Sequence, residues 1–538
     1  MPVTFRVNDD EVSVDDDGSS LLEVLRDQLG IHSAKDGCSP QGQCGCCTVL
    51  VDGAPRVACV TPARRVAGRS ITTLEGLPVV DRNEWGDAFC ATGASQCGFC
   101  TPGIILRLVG LRDKGVAGDD EAAVCKALAA HLCRCTGWRT IIEAYEVRVK
   151  SFSGDETPGP IANGVPSRDL GAAERRAAIE GGVPQQVGAA VACGAGGYAD
   201  DVAPADALVA VSDGAGGRMV AETLAEARTA AGKVQGRRST IELRYPLEVP
   251  DACGGDWVAT LRTTWVEPAY LETDASWCEP GGEPFSPLAN GGAFGGKISS
   301  IVMNAARELA DRYGHAVRVL LSREDAVRLG AKRPPIAAGV RVDGSGVMRV
   351  VSTPGVADMI ASVASALVVD EFDVAGPSTS VALRGAGWAE AAVLLSALHD
   401  EPLPIVAPNG AIAEAVIRGD ASIHVRVSCG DPLDAVVLRS YCIGAAHMAL
   451  GWVTSEGIAV DEAGDIHDLT IRSFGIVRPS EMPAVEVEIV PPTSSGSPEA
   501  DPVNGSDAVF AAVAAAVWRH QGFPPDWPTR IPLRGAKK

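Results

Sequence analysis

The chain has 538 residues, 46% of them hydrophobic, enough for several globular domains with cores of their own. Its net charge of −21 excludes nucleic acid as a partner class. No apolar run approaching the ~18–20 residues that cross a bilayer is read in it, and the longest, over 509–517, is Ala-rich and predicts a buried helix.

The opening Met1-Pro2-Val3-Thr4-Phe5 has no basic n-region, no long apolar h-region and no twin arginine. A cytoplasmic chain without a secretory signal is expected. Val3, Phe5 and Val7 alternate with polar residues and predict a strand, with Asn8-Asp9-Asp10 as a turn and Val12 and Val14 on the return. Ser19 or Ser20 can cap a helix bearing Leu21, Leu22, Leu25 and Leu29, which Gly30 ends. After a Gly- and Cys-rich loop over 37–47, strands over 48–51 and 56–60 flank an Asp52-Gly53 turn. This small α+β unit ends near Pro78. Helices are predicted over 84–92, from Thr101 as N-cap and Pro102 to Gly115, from Asp119 or Asp120 to about Leu132, and over 141–149. Residues 151–167 are rich in Pro, Gly and Ser and read as a linker. From about Val187 onward strands and helices mix without a repeat.

Sixteen cysteines are concentrated in the first quarter. Cys38-x5-Cys44-x2-Cys47 forms one group, and the hairpin brings Cys59 next to Cys47 because residue 47 pairs with 58. Gly37, Gly42 and Gly45 let this loop fold its backbone inward. Cys97-x2-Cys100 and Cys133-x-Cys135 form the second group, with a helix N-terminus after Cys100 to stabilise negative charge. A Zn(Cys)4 centre is the alternative. It usually takes two CxxC knuckles of similar shape, whereas these groups differ from each other, so two [2Fe-2S] clusters are preferred. Cys47 is chosen over its neighbour Cys46 because it keeps the turn spacing. Cys90, Cys125, Cys193, Cys253, Cys278, Cys429 and Cys442 read as small buried residues.

The segments Gly37–Val49, Ile71-Thr-Thr-Leu-Glu-Gly-Leu77, Gln96-Cys-Gly-Phe-Cys-Thr-Pro-Gly103 and Cys133-Arg-Cys-Thr-Gly137 resemble the iron–sulfur subunit of the xanthine dehydrogenase family of molybdenum hydroxylases. The resemblance implies an α+β multidomain chain: a β-grasp [2Fe-2S] ferredoxin-like domain over 1–78 and a four-helix [2Fe-2S] domain over 79–150. A linker over 151–186 would lead to a reduced α/β molybdopterin-binding-like region over 187–538. It also implies that Gln96 hydrogen-bonds the pterin edge. One residue more than usual separates Cys38 from Cys44. In the later region, Gly291-Gly292-Ala293-Phe294-Gly295-Gly296-Lys297 resembles the family's glycine-rich loop beside molybdenum, making Gly292, Phe294 and Gly295 candidate cofactor contacts. Arg384-Gly-Ala-Gly387 is similar to a turn near the substrate, and residues 430–451 to a later cofactor-contacting stretch. Backbone amides freed by glycines suit a pterin and its phosphate, and an arginine suits a substrate carbonyl.

The later region departs from the family. It is short before Val258 and between Val350 and Ala375, and it has no Gly-Gln-Gly segment. Where relatives carry a Gly-x-Gly-Glu turn whose Glu is the general base, this chain has Ser506 followed by Asp507. Arg384 and Asp507 are the remaining catalytic candidates. The preferred reading is an electron-transferring oxidoreductase subunit. Its two clusters pass electrons from a molybdopterin site toward FAD or another acceptor, and its own molybdopterin-like region is degenerate and serves assembly. The expected partners are a molybdopterin-binding large subunit and an FAD subunit in a higher hetero-oligomer. Molybdopterin, of the cytosine dinucleotide type, belongs here or on the partner, and FAD only on a partner. The alternatives are a self-sufficient hydroxylase of an aldehyde or N-heterocycle and a non-catalytic ferredoxin-like scaffold.

Overall fold

The computed structural model describes residues 2–152, 168–214, 216–232, 241–252, 256–286, 292–298, 300–491 and 501–533. Alternating burial along Val3–Val7 puts Val3, Phe5 and Val7 into a core, and the strand pairs antiparallel with Asp10–Val14. These two strands join Ser70–Thr72, Thr48–Val51 and Ala54–Val57 in one five-stranded sheet. The Ser20 capping box with Glu23 starts a helix that is α over Leu21–Glu23 and π over Val24–Gln28. The hairpin has the expected Asp52-Gly53 turn, with Thr48 opposite Val57.

Helices Val79–Thr92, Thr101–Arg112, Glu121–Leu128 and Arg139–Phe152 follow. The first begins five residues earlier than the periodicity predicts, and Cys100 rather than Thr101 is the N-cap of the second. Asp120 caps the third through Ala123 N at 2.9 Å. The expected linker 151–186 is corrected at both described ends. The fourth helix runs on to Phe152, and Asp169 caps another helix over Leu170–Gly181. The Ala, Arg and Glu content of that segment favours helix over linker.

Among the described residues the later region holds three sheets. Leu208–Ser212 and Val317–Leu320 are central in the first, Gly346–Val351, Ile336–Val340 and Ala259–Thr263 in the second, and Ile412–Ile417 and Ile423–Ser428 in the third. Helices Ala435–Thr454 and Ser506–His520 pack on each other, and the second covers the third sheet. Ala435–Thr454 is long and apolar enough to cross a membrane, which corrects the expectation that no such run exists. It is a core helix, with 89% of its apolar window inside the protein, and its one charged residue, Arg439, reaches the half-buried Glu143. One continuous hydrophobic core joins Phe5, Trp85 and Trp138 of the first part to Trp265, Trp452 and Trp518 of the second.

Candidate functional site

The β-grasp loop gathers its thiols as the hairpin requires. Cys38, Cys44, Cys47 and Cys59 are all buried. Backbone N–H groups of Gln41 and Gln43 donate to Cys38 Sγ at 3.2 and 3.4 Å, and Cys59 N–H donates to Cys47 Sγ at 3.4 Å. Hydrogen bonds from the Cys44 and Cys59 thiols hold Cys38 well below the ordinary thiol range, against the effect of burial. Such N–H donors stabilise thiolate and cluster charge. Cys46 is buried beside Cys44, a fifth thiol in the group.

The second group sits where two helix ends meet. Cys135 and Cys97 place their sulfurs 3.6 Å apart, and Cys100 and Cys133 are paired through their thiols. The Cys100 partnership, opposed by burial and helped by Thr136, brings Cys133 down to about 6. Tyr198 donates its hydroxyl to the Cys97 carbonyl and stands edge-on to Phe99, ring centres 5.0 Å apart. Thiols in twos suit a two-iron cluster, which takes two per iron. Among the described residues no three His, Cys, Asp or Glu side chains are arranged to hold one metal ion. The two groups are joined directly, because Leu132 N–H, next to Cys133, donates to the Cys44 carbonyl at 2.9 Å. Cys125, Cys278, Cys429 and Cys442 are buried apart from both groups, Cys90 and Cys193 are half-buried, and Cys253 lies outside the described residues.

The residues read as molybdopterin contacts come together, but around one another. Gly291 lies outside the described residues. Gly292 backs onto Arg134 and the Cys135 sulfur. Gly295 presses on the turn that leads to Arg384 so closely that a Cβ there would stand 1.7 Å from the Ala382 carbonyl oxygen. The Arg384 guanidinium lies 3.9 Å from the Phe294 ring centre and donates to Asp507 Oδ1 and Ser506 Oγ, both at 2.9 Å. Asp507 is therefore committed to Arg384. Gln96 donates through Nε2 to the Cys135 carbonyl at 2.9 Å and to Ser440 Oγ at 3.0 Å, while its Oε1 finds no hydrogen-bond partner among the described residues. Helix Ala435–Thr454 packs over this edge through Gly444, where a Cβ would meet the Cys135 carbonyl oxygen at 1.8 Å.

Three buried cations of the region are paired as well: Lys297 with Glu272 at 2.6 Å, Lys332 with Glu267 at 2.9 Å and Arg333 with Glu390 at 2.6 Å. Burial raises Glu272 to about 7 in spite of its lysine. The space left is a cavity of about 30 Å³ between Arg134, Phe294, Arg333 and Arg384, and another of about 10 Å³ beside Gln96. Each is room for about one water, whereas pockets for organic ligands start near ~300 Å³. The eight cluster thiols fit two [2Fe-2S] groups. The described residues read as molybdopterin contacts, as folded, leave no room for a molybdopterin between them, and the larger cavities, of about 540 and 910 Å³, lie away from them.

Three residues that shape this region are not legible as such in the sequence. Glu180, from helix Leu170–Gly181, accepts from Gly505 N at 3.0 Å and Ser506 N at 2.9 Å, placing a carboxylate at the start of the last helix. Tyr441 meets Phe294 edge-on at 6.0 Å. Glu456 pairs with Arg134. Only the Arg176/Glu180 spacing of four, a helical ion-pair signal, could have drawn attention to the first.

Family models agree with the two thiol groups: a 2Fe-2S iron-sulfur cluster binding domain matches residues 5–66, and a [2Fe-2S] binding domain matches 73–146. The chain is 40% identical over 131 residues to the nicotinate dehydrogenase small FeS subunit of Eubacterium barkeri, covering 24% of this chain and 82% of that protein. It is 40% identical over 130 residues to the xanthine dehydrogenase iron-sulfur-binding subunit of Escherichia coli O157:H7, covering 23% and 79%. The aldehyde oxidoreductase of Megalodesulfovibrio gigas is 41% identical over 143 residues, which are 26% of this chain and 16% of that one. The solved aldehyde oxidoreductase of Desulfovibrio desulfuricans ATCC 27774 superposes with a TM-score of 0.68 at 15% identity, covering 96% of this chain and 97% of that one, and so shares the fold. With two [2Fe-2S] domain matches and 40% identity over most of the length of those small subunits, the chain belongs to the xanthine dehydrogenase family of molybdenum hydroxylases, which are oxidoreductases.

Proposed function

We propose that this chain is the electron-transferring iron–sulfur subunit of a molybdenum hydroxylase complex, and that its later region positions the clusters and assembles the complex rather than hydroxylating a substrate. Cys38, Cys44, Cys47 and Cys59 would hold one [2Fe-2S] cluster, and Cys97, Cys100, Cys133 and Cys135 the other. A bound cluster supplies one-electron chemistry. The chain's own residues keep water off the thiols, donate N–H groups to them, and link the two groups through the Leu132 N–H and the Cys44 carbonyl. The carrying observation is the contrast between two complete thiol sets and a neighbouring set of predicted molybdopterin contacts that, among the described residues, pack on one another and whose Lys297, Arg333 and Arg384 are paired with carboxylates. Hydroxylation would then belong to a separate molybdopterin-binding chain, and FAD, where used, to a further chain. Relatives named as small or iron-sulfur subunits support that division of labour.

The test is the metal content of the isolated full-length chain. About four iron per chain, from two two-iron clusters, without molybdenum is expected, together with co-purification of a molybdopterin-containing subunit from the native source. Molybdenum near one per chain, with substrate-dependent bleaching of the clusters, would instead establish the self-sufficient hydroxylase. Iron without any partner would leave the scaffold reading.

A further inference from the structure

Arg134 stands between two thiol residues, Cys133 and Cys135, yet its side chain turns away from them into the later region. Its Nη1 and Nη2 donate to Glu456 Oε1 and Oε2 at 2.5 and 2.7 Å, and its Nε donates to the Pro268 carbonyl at 3.0 Å. The two side chains are 3% and 2% exposed. The pocket around Glu456 is shaped for it: a Cβ on Gly451 would lie 2.1 Å from Glu456 Oε1. A buried ion pair of this kind contributes little net stability, since desolvation offsets its attraction. Its charges are poorly screened, however, and act strongly on a neighbouring redox group.

Resting on the reading that Cys97, Cys100, Cys133 and Cys135 hold a cluster, we infer that Glu456 is a positioning residue that sets the reduction potential of the helical-domain cluster by neutralising Arg134. The later region thereby tunes a centre it does not ligate. With the carboxylate charge removed, an unpaired guanidinium would stand beside the thiolates and favour the more negative, reduced cluster. The bidentate geometry makes Glu456 the matching partner, because one carboxylate takes both terminal nitrogens of the fork.

The experiment is an EPR-monitored redox titration of the full-length, iron-loaded chain, which follows the two clusters separately. Glu456→Gln keeps the shape and removes the charge. Its helical-domain cluster is expected to shift to a more positive midpoint while the β-grasp cluster stays in place. The double variant Arg134→Gln, Glu456→Gln, neutral like the native pair, is expected to return close to the wild-type midpoint. An unmoved midpoint in Glu456→Gln, or an equal shift of both clusters, overturns the inference. If Glu456→Gln loses iron, the double variant decides: iron-loaded with a near wild-type midpoint supports the inference, while a displaced midpoint or loss of iron overturns it. Failure of the underlying cluster reading would be distinct, since the wild-type chain itself would then lack two titrating centres.

Discussion

His447 lies buried on helix Ala435–Thr454, and its Nε2–H donates to the Val477 carbonyl at 2.9 Å. Burial lowers it to about 4, against an ordinary 6.5, so it is neutral in the folded protein. Between pH 6.5 and 4 the unfolded chain takes up this proton and the folded chain does not. The stability is therefore fully present above pH 6.5 and is lost as pH falls, by about 2 kcal/mol at pH 5. Glu272, raised to about 7, works the other way, losing stability as pH rises from 4.5 through 7. That contribution is common to wild type and variant. His447→Met is thus expected to shrink the fall in melting temperature between pH 7 and pH 5, measured by circular dichroism. An unchanged fall would rule out His447 as its source. The cluster cysteines are the residues most legible from sequence, because a hairpin and two helix ends impose their spacing locally. The partners that close the later region are not, because Glu180, Glu456 and Asp507 reach their contacts across 322 to 326 residues or, for Asp507 and Arg384, 123.

Helix Leu170–Gly181 changes the meaning of the segment after the helical domain. Its Arg176 donates to Glu180 Oε1 at 3.0 Å and to the Pro432 and Val503 carbonyls, and both side chains are fully buried. Glu180 then satisfies the first amides of helix Ser506–His520, which need an acceptor. Glu180→Ala would strand a buried guanidinium and two amides. A loss of roughly 3–5 kcal/mol is expected, read by chemical denaturation of the full chain, and a loss below about 1 kcal/mol would show that water replaces the carboxylate. Helix Ala435–Thr454 teaches a related point. Composition alone cannot separate a membrane span from a core helix, and only its packing against helix Ser506–His520 and the Cys135 edge assigns it to the core.

Across the whole molecule, the two parts share one core and several polar contacts on the loop that carries the first thiol group. Arg323 donates to the Gly37 carbonyl at 2.6 Å, Gln41 donates to Glu324 at 2.7 Å and accepts from Ile471 N at 3.2 Å, and Arg472 donates to the Gln43 carbonyl at 3.0 Å. The Cys38–Cys44 loop thus supplies Gln41, a residue that fastens the later region to it. Domains joined in this way unfold together. Loss of visible cluster absorbance and loss of far-ultraviolet circular dichroism are expected to coincide in a thermal melt of the loaded chain. Two separated transitions would show that the halves are independent.

The sequence by itself determined the two cluster domains, their order and the thiols available to them. Those features depend on short-range rules: alternation, caps, a two-residue turn and the spacing of cysteines. It also raised the expectation, from Ser506 and the short stretches before Val258 and after Val350, that the later region departs from its family. Only the tertiary structure decided what that departure does. The filling of the region by Phe294, Tyr441 and Gly444, the pairing of Lys332, Arg333 and Arg384 with carboxylates and the contacts of Glu180 and Glu456 all depend on contacts between distant segments. Whether a pocket is open or closed is set by packing and charge balance in three dimensions, which no local pattern encodes.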